Sequence, residues 1–141
     1  MNMNPVVHFE MPYEDRQRMA DFYTKTFGWK ANMLGENMGN YVVVMTSEED
    51  PETKFPKMPG MINGGFFQKT KDTPYPTVVI GVDDIQEAMK HVTDMGGKII
   101  GGQKVGEPDD IPGVGLYVAI MDTEGNRVGL IQPLPKTGVA M

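Results

Sequence analysis

The sequence predicts an α+β fold built from two βαβββ modules. Together these form one curved, eight-stranded mixed sheet with the helices on its outer face. Three observations lead there: an internal repeat, the same succession of strand and helix periodicities in both copies, and a matching motif at the end of each copy. Shifting the chain by 69 positions lays residues 8–31 on residues 77–100 without a gap, with Asp15 on Asp84, Gln17 on Gln86, Thr24 on Thr93 and Gly28 on Gly97. At an offset of 64, Gly65-Phe66-Phe67-Gln68 falls on Gly129-Leu130-Ile131-Gln132, so the second copy has the shorter loop. One such module, with a single helix on a single sheet, encloses little core, whereas two can share a larger sheet.

The elements follow in order. In the second copy, residues 77–82 are a β-branched run that reads as a strand. Asp84 offers an N-cap, with Glu87 three residues on as in a capping box. Ile85, Ala88, Met89, Val92 and Met95 then recur at helical spacing, and Gly96-Gly97 ends the helix. In the first copy Asp15 opens the helix, Met19, Phe22, Tyr23 and Phe27 form its stripe, and Gly28 closes it. The helices are thus expected over 15–27 and 84–95. Three strands follow each helix, at 29–33, 40–46 and 62–68, then at 98–105, 115–122 and 126–132. Residues 122–126, Asp-Thr-Glu-Gly-Asn, read as a hairpin loop with Gly125 in the left-handed conformation. The proline-bearing stretch 70–76 reads as the link between modules of about 6–70 and 75–133, within a single domain, 1–141.

Composition narrows the function. The 141 residues carry 13 Lys and Arg against 19 Asp and Glu, a net charge of −6, which opposes binding to nucleic acid or an anionic membrane surface. The absence of cysteine removes disulfides, thiolate metal sites and a cysteine nucleophile. Neither a basic leader nor an apolar run of spanning length is present, so a cytoplasmic location is expected.

His8-Phe9-Glu10-Met11-Pro12, Asp21-Phe22-Tyr23, Phe27-Gly28-Trp29, Val82-Asp83-Asp84, Gly96-Gly97, Pro112-Gly113-Val114-Gly115, and Asp122 to Asn126 followed by Val128-Gly129-Leu130 occur in a telling order. Through them the chain resembles the vicinal oxygen chelate superfamily, which includes glyoxalase I, bleomycin-resistance proteins and extradiol dioxygenases. The resemblance implies metal ligands on the first and last strand of each module, at positions that are His8, Gly65, Thr77 and Gly129 here. Only His8 is an ordinary ligand, so no metal and no other cofactor is expected. The resemblance also implies a homodimer.

With His8 facing the concavity, strand alternation turns Glu10 the same way and Phe9 and Met11 toward the helix. Likewise Asn63, Gly65 and Phe67, then Thr77 and Val79, then Arg127, Gly129 and Ile131 face inward. Val78, Ile80 and Val82 face the second helix. The expected ligand-binding set is His8, Glu10, Asn63, Phe67, Thr77 and Arg127, with His8 and Glu10 the acid/base candidates. His8 also reads as an ordinary hydrogen-bonded strand histidine or a weak metal ligand. Its unperturbed pKa near 6.5 would suit proton transfer. Glu10 and Arg127 read equally as a mutually neutralising pair or as groups at the mouth. Gly65 and Gly129 mark either close packing or room for a ligand. The function expected is metal-independent binding of a small organic molecule. The alternative is a lyase, isomerase or dioxygenase, either metal-dependent or using His8 and Glu10.

Overall fold

The computed structural model describes residues 2–53 and 55–135. The fold is α+β with mixed strand pairing, as expected, and divides into two compact units. The first is His8–Thr77; the second joins the residues ahead of His8 to those from Val78 onward.

In the first unit, β1 (Val6–Tyr13) leads to α1 (Arg16–Phe27), β2 (Lys30–Met33), a 3-10 turn at Glu36–Met38, β3 (Val42–Met45) and β4 (Asn63–Gln68). The sheet order is β2-β3-β4-β1. β1 and β4 are parallel, and the other two pairings are antiparallel. α1 starts where Asp15 accepts from the Arg18 amide at 3.0 Å, and stops at Gly28, whose φ of 75° is the left-handed cap. Its inner face meets a core of Tyr13, Val42, Val44 and Phe66, against which Phe9, Met11, Met19, Tyr23, Trp29 and Met33 pack. The expected stripe is corrected here, because Phe22 and Phe27 are mostly exposed. Met19 and Tyr23, four residues apart, point down, whereas Phe22 and Phe27 lie edge-on to and beside the Tyr23 ring.

The second unit repeats the plan: β5 (Thr77–Gly81), α2 (Ile85–Asp94), β6 (Lys98–Gly101), β7 (Asp109–Ile111), β8 (Gly115–Met121) and β9 (Arg127–Pro133). The order β5-β9-β8-β6 mirrors the first unit, again with the first and last strands parallel. Asp84 caps α2 through the Glu87 amide at 3.1 Å. The Glu87 carboxylate lies 3.5 Å from His91 one turn on. Ile85, Val82, Val118, Ile120 and Leu130 form the buried core, with Ile80, Ala88, Met89 and Val92 packed on it. Ile80 and Val82 therefore meet the helix as expected, but Val78 is exposed, and so is Met95 at the helix terminus.

β7 is a ninth strand that the sequence conceals. Residues 107–111 hold three acids and a proline and show no alternation of apolar residues. They pair with the first half of β8 only after the chain leaves β6 at Gly101. The strand expected over 98–105 ends there because Gly101 takes a φ of 108°, and the Gly106 amide turns back to the Ile100 carbonyl at 3.0 Å. The hairpin at 122–126 forms as expected, with Gly125 at φ 85° and the Asp122 carboxylate accepting from the Glu124 and Asn126 amides at 2.9 Å each.

Candidate functional site

Each unit buries one face of its sheet under its own helix, and the residues expected to form the site lie on the opposite face. In the first unit the β1 alternation sends Phe9, Met11 and Tyr13 into the core and leaves His8 and Glu10 on the helix-free face. In β4, Phe66 enters the core and Asn63, Gly65 and Phe67 take the free face. The parallel register sets His8 beside Asn63, Glu10 beside Gly65 and Pro12 beside Phe67.

Tyr41 joins these residues. It follows the 3-10 turn, and Asn40 before it stands at φ 55°, a left-handed backbone that asparagine tolerates better than most residues. That conformation is braced from beneath. The Tyr13 hydroxyl donates to the Asn40 carbonyl at 2.8 Å, and Arg16 reaches from α1 to the Leu34 carbonyl at 2.6 Å. The phenol so positioned lies over Gly65. A Cβ on Gly65 would fall inside the van der Waals envelope of the Tyr41 hydroxyl and ring.

The Tyr41 hydroxyl donates to Glu10 Oε2 at 2.8 Å and lies 3.1 Å from His8 Nε2. A phenol has one proton. With that proton directed to Glu10, His8 must donate from Nε2–H as the neutral tautomer. Burial enforces the neutral state, because desolvation of the cation pulls the imidazole pKa from 6.5 down to about 4. The expectation of a histidine poised near 6.5 is corrected accordingly: His8 is a neutral hydrogen-bond donor at physiological pH and a weak base.

The other expected residues divide. Asn63 is tied down, its Oδ1 accepting from the Thr46 and Ser47 amides at 2.8 and 3.1 Å and holding the chain where it leaves β3. Among the described residues, its Nδ2 and the buried Ser47 Oγ find no hydrogen-bond partner. Phe67 and Thr77 are half-buried. Arg127 opens β9 in the second unit, on the face of Gly129 and Ile131, since Val128 and Leu130 enter that unit's core. Of the two readings of the glycines, close packing or room for a ligand, the structure shows close packing. Tyr41 lies over Gly65, and a Cβ on Gly129 would come within 2.8 Å of the Tyr117 ring.

Neither Tyr41 nor Tyr117 belongs to the ligand-binding set expected from the sequence. The missed signal was positional. Val43 is the strand partner of Gly65 and Ala119 that of Gly129, and a tyrosine sits two residues before each partner. A glycine on a strand leaves a gap that a diagonal aromatic across the ladder can fill.

A divalent metal does not fit this donor set. The glyoxalase-type carboxylate positions are glycines beneath phenol rings, and Thr77 offers only a neutral hydroxyl. Among the described residues, no three His, Asp or Glu side chains gather closely enough to hold an ion.

Comparison with known proteins gives a consistent family. The profile of the glyoxalase/bleomycin resistance protein/dioxygenase superfamily matches residues 6–130. A probable chloroplastic lactoylglutathione lyase from Arabidopsis thaliana is 26% identical over 122 residues, covering 86% of this chain and 33% of its own. This chain therefore spans about a third of that relative's length. The lactoylglutathione lyase of Escherichia coli O157:H7 is 26% identical over 128 residues, covering 90% of this chain and 91% of its own. Among solved structures, a methylmalonyl-CoA epimerase superposes with a TM-score of 0.67 at 14% identity, covering 96% and 99% of the two chains. A hypothetical protein from Bacillus halodurans C-125 gives 0.66 at 12%, covering 96% and 98%. At such identities the likeness is one of fold.

Proposed function

The chain belongs to the glyoxalase/bleomycin resistance protein/dioxygenase superfamily, and from that premise we propose that it binds a small organic molecule, without a divalent metal, on the helix-free face of the first unit. The observation that carries this reading is the His8–Tyr41–Glu10 chain above Gly65. It sets a neutral donor, a phenol and a carboxylate side by side where the family resemblance places a metal. Phe67 and Thr77 supply an aromatic and a hydroxyl to the proposed ligand set, and Asn63 an amide donor. Arg127, on the helix-free face of the second unit, is proposed separately as a cation for an anionic group.

Elemental analysis of protein purified without chelator tests the metal half. Zinc, nickel, manganese and iron should all be substoichiometric. A stoichiometric metal that disappears in His8→Ala would overturn it. Thermal-shift screening against a metabolite and antibiotic library tests the other half. Genuine ligands should lose affinity in Glu10→Gln, and anionic ligands of the second unit in Arg127→Ala. Hits indifferent to both would place binding elsewhere.

A second reading, metal-free acid/base catalysis, is favoured by the 2.8 Å hydrogen bond between Tyr41 and Glu10. Glu10, which already accepts the Tyr41 proton, would then exchange the proton. Cytoplasmic residence and a homodimeric state are part of the proposal. No helix among the described residues is long and apolar enough to cross a membrane.

A further inference from the structure

The outer faces of the two helices carry inverted charge. The 69-residue repeat lays Arg18 on Glu87, Asp21 on Lys90 and Lys25 on Asp94, so each acid and lysine of α2 has the opposite charge at its counterpart in α1. These residues form the stripes away from the cores, because Met19, Ala20 and Tyr23 hold the inner face of α1, and Ile85, Ala88, Met89 and Val92 that of α2. Solvation requires charge of either sign on such a stripe and does not require an inversion at all three positions. We propose that the outer face of α1 docks on the outer face of α2 in a second copy of this chain. This surface rests on the homodimer proposed above and locates it.

Three observations select a second copy as the occupant. The cations of α1 are not used within the chain: among the described residues, the exposed Arg18 and Lys25 side chains make no hydrogen bond or ion pair. In α2, Lys90 meets Asp94 Oδ2 at 3.2 Å and His91 lies 3.5 Å from Glu87 Oε1, but these exposed neighbours contribute little and leave Asp94 Oδ1 and Glu87 Oε2 to accept another donor. The charges on both faces are spaced by three and then four residues, so the match survives reversal of one helix. Run antiparallel, as the helix dipoles favour, Arg18 meets the partner's Asp94, Lys25 the partner's Glu87, and Asp21 lies beside the partner's Lys90 and His91. Phe22, 55% exposed in the middle of the α1 stripe, then covers its ring with the stem of the partner's Lys90. Like faces do not match, since α1 laid antiparallel on α1 sets Arg18 against the partner's Lys25. Each chain carries one face of each sign, so a two-fold pair makes the contact twice.

Sedimentation equilibrium of the full chain and of two variants, Arg18→Glu/Lys25→Glu and Glu87→Lys/Asp94→Lys, tests the surface. The unaltered chain should dimerise in low salt and dissociate as the salt approaches about 1 M, where screening acts within about 3 Å. Each variant alone should show a dimer dissociation constant raised at least about tenfold, because every cross-chain pair becomes a repulsion. Mixed in equal amounts, the two variants should dimerise again, since each meets the opposite face at both contacts. Both variants keep a net negative charge, so overall attraction does not produce that recovery. Circular dichroism checks that the variants fold, and Lys25→Glu with Glu87→Lys provides the same mixing test should a double variant unfold. A dimer that persists in high salt or in both variants, or variants that stay monomeric when mixed, overturn this surface and leave the homodimer to another one. A monomeric unaltered chain overturns the homodimer and the surface together.

Discussion

His8 shows how position changes the chemistry of one residue. On an exposed strand it would titrate near neutrality; half-buried beside Tyr41 it stays neutral until the pH approaches 4. The linkage has a definite sign. Above pH 6.5 the imidazole is neutral in both the folded and the unfolded chain and exerts no pH effect. Between 6.5 and about 4 only the unfolded chain takes up the proton, so stability falls as the pH falls, and below about 4 the loss levels off. The shift corresponds to an upper limit of about 3 kcal/mol. Urea unfolding at pH 7.5, 5.5 and 4.5 should show this loss in the wild type and a shallower one in His8→Gln, which keeps a donor but does not titrate. Identical pH profiles for the two proteins would remove His8 from the account.

At the scale of elements, the two helices resemble each other in capping and differ in anchorage. Both begin with an aspartate that accepts from the amide three residues on. α2 then buries Ile85 completely at its first position, and the Ile85 amide donates to Gln132 Oε1 on β9 at 2.9 Å. α1 instead leaves two phenylalanines largely in solvent. Ile85→Ala should therefore cost about 2–5 kcal/mol, as full burial and poor relaxation of the site dictate. Phe22→Ala should cost under about 1.5 kcal/mol, its aromatic contacts alone. Denaturant midpoints of the two variants, measured side by side, check the order, and a larger loss at Phe22 would contradict the assignment of faces.

The whole molecule is a duplicated unit in which each copy keeps the same strand order and the same ring-on-glycine packing, and only one copy keeps the histidine and the carboxylate. The proposed homodimer belongs to this scale. Light scattering at micromolar concentration should give twice the 15.6 kDa of the chain, and a monomer mass there would contradict it.

Periodicity and capping are local properties, and they were legible. Asp15, Gly28 and Asp84 mark the helix boundaries to within a residue because capping depends on neighbours three or four positions away. Strand alternation likewise placed His8 and Glu10 on one face and Phe9 and Met11 on the other. The family resemblance, carried on ordered motifs, agreed with the superfamily that the profile identifies. What the sequence by itself did not decide was what fills the space above Gly65 and Gly129. Tyr41 is 24 residues from Gly65 and 31 from Glu10, and the register of β3 on β4 brings its ring over the glycine. The same burial that joins His8 to Tyr41 lowers the histidine pKa. β7 was hidden for a related reason: its pairing partner, the Gly115–Tyr117 end of β8, is supplied by a neighbouring strand and leaves no pattern in residues 109–111. Through-space partners and desolvation follow from chain crossings that no local window contains, so the backbone plan came from the sequence and the character of the site from the tertiary structure.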